Sequence, residues 1–205
     1  EALRHRIAEF GPENIGAFIA EPIQASGGVI VAPEGYLKRS YDICREHDIL
    51  TISDEVVTGF GRLGHWFASK DVFGIEPDII TCAKGLTSGY LPLGAAIVSK
   101  RLYAAITNDN AKGSYFSNGY TYSGHPVSSA CALKNIEVIE RTGLLEHVRR
   151  IAPIFQARMR KLKEIPIVGD VRGMGLVGCV DCRTGTDDTD PWNPKHRLGA
   201  RIDRH

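Results

Sequence analysis

The sequence has no strong excess of charge and no long hydrophobic run. Its 205 residues carry a net charge of +1, which gives no electrostatic reason to expect nucleic acid or an anionic membrane as a partner. No apolar run approaches the roughly 20 residues that a membrane helix needs. Internal repeats and low-complexity tracts are also missing. With 43% hydrophobic and 24% charged residues, the composition is that of an ordinary globular protein.

Cysteine is scarce: the sequence has five cysteines, an odd number that cannot all pair in disulfides within the chain. They are scattered along the chain, and three of them lie inside apolar runs. This distribution indicates reduced, buried thiols and a cytoplasmic location. Cys179 and Cys182 have the spacing of half a zinc site, but no second pair accompanies them, and residues three apart in a strand point to opposite faces. We therefore expect no metal site.

The first residue, Glu1, is not a start methionine, and residues 1–10 already have the character of a helix. The other end of the sequence stops without a clear helix cap or strand. We therefore expect the chain to be an internal piece of a longer protein. We also expect this piece on its own to have no useful activity.

Buried strands alternate with helical segments along the first hundred residues. Short apolar runs end at Glu21, Asp54 and Lys84, and the last run, residues 78–83, is rich in β-branched side chains. Strands separated by helical crossovers form a mostly parallel sheet with helices on both faces. Ligands bind beyond the carboxyl ends of such strands, so the three side chains are candidates for one site. The alternative is that charged residues simply collect where strands reach the surface.

Lys84 stands at the mouth of its strand and is followed by a glycine-rich loop. Partial desolvation there would lower the pKa of its amine from about 10.4, so that the neutral nucleophile becomes accessible. Such an amine can form a Schiff base with a carbonyl. The alternative interpretation is a lysine that leaves the core and extends into water.

Asp54, Val56 and residues 120–124 would complete a site for a cofactor with an aldehyde, a pyridine nitrogen and a phosphate. A carboxylate beside the pyridine nitrogen keeps it protonated, and Asp54 fits this role. Val56 lies two residues further on, so in an extended segment it would point the same way and cover the ring. Hydroxyl and backbone groups of residues 120–124 could bind the phosphate. Pyridoxal phosphate has these parts, and Lys84 would hold its aldehyde.

The glycines of residues 173–178 match the pattern of a dinucleotide-binding loop. That pattern requires a helix directly after it, whereas the residues that follow here favour a strand. We therefore expect two strands of a second, smaller unit and no dinucleotide site. The basic segment 144–163 is interpreted as a helix with a solvated charged face. Residues 108–113 and the tail from Asp181 are expected to be loops, with a helix starting near Pro194.

Five segments of the sequence resemble the class III aminotransferases, the group that includes ω-amino acid, amine:pyruvate and ornithine transaminases. They are residues 21–24, 54–62, 77–85, 121–126 and 172–176. The resemblance implies an α/β transferase of fold type I that depends on pyridoxal phosphate. It places residues 1–145 in the large cofactor-binding domain and residues 146–205 at the start of a small α+β C-terminal domain.

The resemblance also implies roles for single residues. Lys84 would be the Schiff-base lysine and proton shuttle, Asp54 the partner of the pyridine nitrogen, and Val56 the cover of the ring. Thr121 would reach the phosphate held by the neighbouring subunit of a homodimer. Glu21 would lie near the cofactor.

The activity implied is transfer of an amino group from an amine or ω-amino acid donor to a keto acid such as pyruvate. Ser26 stands where ornithine-type enzymes carry a glutamate, which argues for a broader amine or ω-amino acid donor. Val57 stands where some members carry a glutamine that contacts the ring hydroxyl, so that contact is absent. The alternatives are an aminomutase or decarboxylase of the same fold, or a non-catalytic remnant that only dimerises.

Overall fold

The computed structural model describes residues 1–107 and 118–182 of the chain. The α-helices within these ranges are Ala2–Phe10 (α1), Tyr36–Glu46 (α2), Ala68–Asp71 (α3), Lys100–Thr107 (α4), Pro126–Arg141 (α5) and Leu144–Lys161 (α6). The strands are Ala17–Ala20 (β1), Ile23–Gln24 (β2), Ile30–Val31 (β3), Leu50–Asp54 (β4), Ile79–Cys82 (β5), Ala95–Val98 (β6), Val168–Met174 (β7) and Val177–Cys182 (β8). Short 3-10 helices cover Pro12–Asn14, Lys84–Thr87 and Leu162–Glu164.

The central sheet has four strands in the order β1, β4, β5, β6. β1 pairs parallel to β4 and β4 parallel to β5, whereas β6 runs antiparallel to β5. The connection from β5 to β6 contains only a 3-10 helix, and parallel pairing usually needs a full crossover helix. The predicted α/β class with a mostly parallel sheet is confirmed, and β6 is its antiparallel edge.

Asp78 sets the register of β4 and β5 at their amino ends. Its Oδ2 accepts hydrogen bonds from the backbone N–H of Thr51 at 3.0 Å and from the Thr51 hydroxyl at 3.1 Å, and Arg101 donates to Oδ1 at 2.8 Å. Burial alone would raise the pKa of Asp78, but these donors outweigh burial and hold the pKa below its ordinary value. The resulting register places Asp54, at the far end of β4, beside Thr81 of β5.

Helix α2 covers part of the sheet through Leu37 and Tyr41, which are both buried. Tyr41 clusters with Ile75 and packs edge-on against Phe18 of β1, with the ring centroids 6.0 Å apart. Its hydroxyl donates to the carbonyl of Ile52 at 3.0 Å, in the middle of β4. Burial raises the pKa of Tyr41 to about 12, so the phenol keeps its proton and this bond at neutral pH.

β7 and β8 form a separate antiparallel hairpin that docks on loops of the first unit. Arg172 donates through Nε to the carbonyl of Gly28 at 2.7 Å, and the backbone N–H of Leu176 donates to the carbonyl of Arg62 at 3.0 Å. Gly175 has φ +58°, and a Cβ there would lie 2.9 Å from the Arg62 carbonyl oxygen. This close approach of two backbones therefore requires glycine.

The glycine pattern of residues 173–178 lies on this hairpin, with β8 and no helix directly after its turn. The predicted strand pair is confirmed. The expected loop from Asp181 is wrong for Asp181 and Cys182, because both pair with β7. The loop expected at residues 108–113 and the helix expected near Pro194 lie outside the described residues. The domain boundary at residue 145 stays a prediction.

All five cysteines lie in the described ranges and are free thiols. No group of three or more cysteine, histidine, aspartate or glutamate residues in those ranges comes together in a way that could hold a metal ion. None of the described helices combines the length and the apolar character required to cross a membrane.

Candidate active site

Three side chains that were predicted to act together lie at the carboxyl edge of the central sheet. Asp54 is the last residue of β4, Glu21 directly follows β1, and Lys84 comes two residues after β5. The parallel register brings the three strand ends side by side, with Asp54 directly opposite Thr81. Such an edge is where ligands bind in open α/β sheets.

The carboxylate of Asp54 is partly buried and bends the chain that follows it. Its Oδ1 accepts a hydrogen bond from the backbone N–H of Val56 at 3.0 Å, which closes a short turn at the end of the strand. Val56 therefore lies in a turn, and the extended segment from which we predicted its direction was wrong. Among the described residues, no donor reaches Oδ2 of Asp54, so this oxygen can accept from a ligand.

Glu55, the next residue, is a fully buried carboxyl group with four hydrogen-bond donors around it. Its Oε1 accepts from the backbone N–H of Ser69 at 2.6 Å and from the Ser69 hydroxyl at 2.5 Å. Its Oε2 accepts from the Thr58 hydroxyl at 2.6 Å and from the backbone N–H of Ala68 at 3.0 Å. The two backbone donors belong to the start of α3, where N–H groups lack partners within the helix. Glu55 thus ties the end of β4 to α3.

This role of Glu55 was not predicted from the sequence. The only indication in the sequence was an acidic residue directly after a buried strand. Charged residues at the protein surface give the same pattern. Nothing in the sequence links Glu55 to residues 68 and 69, which fold onto it from the far side of a turn-rich loop.

Glu21 also has a partner in its own neighbourhood. Its Oε2 accepts a hydrogen bond from the backbone N–H of Ala25 at 3.1 Å, which ties the end of β1 to the connection between β2 and β3. The carboxylate therefore stabilises this loop at the sheet edge. Its predicted place near a cofactor stays a prediction.

Lys84 is exposed, and its backbone lies in the left-handed region with φ +42°. The partial burial that we predicted for its amine is therefore wrong for this chain, since the residue is exposed. A residue other than glycine in this conformation costs roughly 1–2 kcal/mol. The surrounding structure must hold the backbone there, and residues held in this way are common at functional sites.

Two neighbours of Lys84 on β5 shape the chemistry of the edge. Burial raises the pKa of the Cys82 thiol, which keeps it protonated and a poor competing nucleophile. The hydroxyl of Thr81 is buried and, within the described ranges, has no hydrogen-bond partner. Because residues paired in register project from the same face of a sheet, this hydroxyl lies on the face of Asp54. A polar group placed there would satisfy it.

Thr121 lies in an exposed turn that leads into α5. The backbone N–H of Ser123 donates to the carbonyl of Tyr120 at 2.8 Å, and the Ser123 hydroxyl accepts from the backbone N–H of Tyr120 at 2.9 Å. No hydrogen bond among the described residues joins Thr121 to Asp54 or Lys84. The turn is thus built by its own residues and presents Thr121 to solvent.

Comparison with known proteins identifies the family to which the chain belongs. Residues 1–198 match the family model of the class-III aminotransferases. The chain belongs to the class-III aminotransferase family. The resemblance inferred from the five sequence segments is thereby confirmed, and so is the fold type I α/β architecture.

Relatives in this family are similar over nearly the whole chain. A putrescine–pyruvate aminotransferase of Pseudomonas aeruginosa is 44% identical over 182 residues, which are 88% of this chain and 39% of that protein. A chloroplastic gamma aminobutyrate transaminase of Solanum lycopersicum is 41% identical over 207 residues, 99% of this chain and 40% of that protein. The crystal structure of an (S)-enantioselective omega-transaminase from Thermomicrobium roseum has a TM-score of 0.89 at 39% identity and covers 98% of this chain and 44% of its own. The chain therefore spans less than half the length of these relatives.

Class-III aminotransferases depend on pyridoxal phosphate, and the residues at the sheet edge fit this cofactor. Oδ2 of Asp54, which no donor among the described residues reaches, can accept a hydrogen bond from a pyridine N–H. The unpartnered hydroxyl of Thr81 lies on the same face, and the exposed amine of Lys84 follows at the neighbouring strand end. The described residues thus offer a carboxylate, a hydroxyl and an amine where the ring and the aldehyde would lie.

Proposed function

We propose that the protein transfers an amino group from an amine or ω-amino acid to a keto acid such as pyruvate, with pyridoxal phosphate as its cofactor. The observation that carries this proposal is the sheet edge at which Asp54 and Lys84 follow neighbouring parallel strands. Family membership supports the same reaction. Two relatives are named for putrescine and gamma aminobutyrate, which both have a terminal primary amine, and this supports a donor of that kind.

Lys84 would hold the cofactor and then act on the donor. When bound, the cofactor supplies an aldehyde that joins to amines and a ring that accepts electrons from the donor carbon. The amine of Lys84 would bind the aldehyde until the donor displaces it. It would then take the proton from the donor carbon as a general base and return it as a general acid. An exposed side chain on a fixed backbone suits this task, because the amine must move between two atoms.

Asp54 would orient the ring and keep its nitrogen protonated. Its Oδ2 is the oxygen that would accept the pyridine N–H, since Oδ1 is bound to the backbone of Val56. A hydrogen bond between charged groups contributes about 1.5–3 kcal/mol. Val56 would cover one face of the ring, and Glu21 would lie nearby at the end of β1.

The remaining assignments concern the whole protein. We propose a homodimer in which Thr121 reaches the phosphate in the neighbouring subunit, and the outward position of its turn supports this arrangement. Residues 1–145 would belong to the large domain and residues 146–205 to the small one, which agrees with the separate β7–β8 hairpin. The five free thiols support a cytoplasmic location.

The test is the removal of Lys84 from the whole protein. K84A should abolish both the borohydride-dependent fixation of cofactor on the chain, read by mass spectrometry, and turnover of putrescine or another terminal amine with pyruvate. K100A removes an exposed lysine at the start of α4 and should retain both properties, so it is the matched control. Either property retained in K84A would overturn the assignment.

The product analysis separates amino transfer from the other reactions of this fold. Transamination must yield alanine from pyruvate and a carbonyl compound from the donor in equal amounts. Release of carbon dioxide, or an amino group moved within one molecule, would instead identify a decarboxylase or an aminomutase.

A further inference from the structure

The backbone of Lys84 is held by groups outside its own strand. Lys84 opens the 3-10 helix Lys84–Thr87 in the left-handed conformation, and Ser88 at its end also has a positive φ of +50°. Two such residues within one short segment do not hold themselves in place. The contacts that hold them come from α5 and from the loop after Asp54.

Asn135 of α5 makes three hydrogen bonds to this one segment. Its Nδ2 donates to the carbonyl of Gly85 at 2.8 Å and to the carbonyl of Leu86 at 3.1 Å. Its Oδ1 accepts from the hydroxyl of Ser88 at 2.7 Å. The two carbonyls belong to the two residues that directly follow Lys84, so the amide binds the backbone at the turn itself. The two bonds to the carbonyls are partly buried, which shields them from water, whereas the bond to Ser88 is exposed.

Apolar packing against α5 and Phe60 also fixes this segment. Leu86 and Cys82 form a buried cluster with Ala132, which lies one turn before Asn135 on the same side of α5. Phe60 packs against the same cluster and also lies against Gly85, where an added Cβ would be only 2.9 Å from the Cβ of Phe60. Phe60 belongs to the loop that follows Asp54 and Glu55. The segment after Lys84 is therefore fixed between α5 and the loop from the neighbouring strand.

We propose that Asn135 is a positioning residue for Lys84, and this rests on the function proposed above. Among the described residues, no hydrogen bond holds the amine of Lys84, so the direction of the side chain depends on its backbone. Asn135 sets that backbone through the carbonyls of Gly85 and Leu86. The side chain of Lys84 then begins from a fixed point at the sheet edge, while its amine remains free to move.

The variant that tests this is N135D in the whole protein. Aspartate keeps the shape of Asn135 and the oxygen that accepts from Ser88. It replaces the Nδ2 donor with an oxygen, which would face the carbonyls of Gly85 and Leu86. S88A removes only the third hydrogen bond and leaves both carbonyl bonds in place. N14D is the matched control, since Asn14 donates to the carbonyl of Phe10 at 2.9 Å in a distant part of the chain.

The readout is a competition between Lys84 and a free amine for the bound cofactor. Methylamine is added, and absorbance reports the concentration that displaces half of Lys84 from the cofactor. A misplaced backbone lowers the effective concentration of the Lys84 amine, so we expect N135D to need about tenfold less methylamine than the parent. S88A and N14D should stay within about twofold of the parent, because neither releases the two carbonyls.

The melting temperature, measured in parallel, distinguishes an effect on the position of Lys84 from an effect on stability alone. A lower melting temperature for N135D with an unchanged methylamine concentration would make Asn135 structural only and overturn the inference. If N135D does not fold, N135S removes the same donor without adding a carboxylate and carries the same measurement. If the parent protein fixes no cofactor on Lys84, the proposed function itself is contradicted. If the parent binds the cofactor and N135D needs the same methylamine concentration, only the inference about Asn135 is contradicted.

Discussion

The end of β4 and the end of β5 lie side by side but are held in different ways. After β4, the chain is fixed by polar groups that are completely buried, with Glu55 bound to Ser69, Thr58 and Ala68. After β5, Lys84 itself is exposed, and its segment is fixed by the more distant Asn135. The first strand end thus has its support directly next to Asp54, whereas the second is supported by contacts of the residues that follow Lys84.

This difference matches the two tasks proposed for the site. A carboxylate that orients a ring has to stay in place, and a buried network beside it prevents movement. An amine that carries a proton has to move, and it can do so only if its side chain is free while its backbone is not. The contrast between the two strand ends therefore has a chemical reason, and three substitutions test it.

The largest effect is expected from E55Q. Glutamine keeps the shape of Glu55 but directs an NH2 group at a backbone N–H that needs an acceptor, so at least one buried hydrogen bond is lost and two donors face each other. We expect the free energy of unfolding to fall by about 3 kcal/mol, measured by urea denaturation. E46Q makes the same change in an exposed ion pair with Arg4 and should have a much smaller effect. Equal stability of the two variants would show that the end of β4 is not held by Glu55.

A smaller effect is expected from G85A, at the other strand end. The added Cβ would lie 2.9 Å from the Cβ of Phe60, so the segment after Lys84 must shift. Overpacking of this kind costs about 2 kcal/mol, and the shift should also reduce the methylamine concentration that displaces Lys84. G16A is the control, because a Cβ on Gly16 meets no atom within 4 Å. Parent-like competition in G85A would mean that Phe60 does not help to position Lys84.

The smallest effect is expected from Y41F, which removes the hydrogen bond to the carbonyl of Ile52 beneath the end of β4. Near neutral pH the loss should be about 1 kcal/mol. The folded-state pKa of Tyr41, about 12, lies above its ordinary value of 10.0. The stabilisation from the protonated phenol is therefore complete below pH 10.0 and is lost as the pH rises towards about 12.

Urea denaturation at a series of alkaline pH values measures this dependence. The parent should lose stability above pH 10.0 more steeply than Y41F, which has no phenol to titrate at this position. Y36F alters an exposed tyrosine and should follow the parent. Parallel curves for the parent and Y41F would show that Tyr41 does not contribute to holding β4.

The sequence allowed the strand ends to be located, because a buried run and the charged residue that closes it are local features. The places of Asp54 and Lys84 at one edge follow from this pattern and from the parallel sheet. The support of the site could not be predicted in the same way. Asn135 binds a carbonyl 50 residues away, and no local pattern indicates which polar side chain will meet which backbone group. The direction of Lys84 also depends on these contacts.

The β7–β8 hairpin places a constraint on how this sheet edge can vary. It binds the carbonyl of Gly28, in the loop after β2, and the carbonyl of Arg62, in the loop after β4. One hairpin thus connects two separate loops. An insertion that displaced either carbonyl would break its hydrogen bond to the hairpin, so each loop can lengthen only at positions that leave this carbonyl in place.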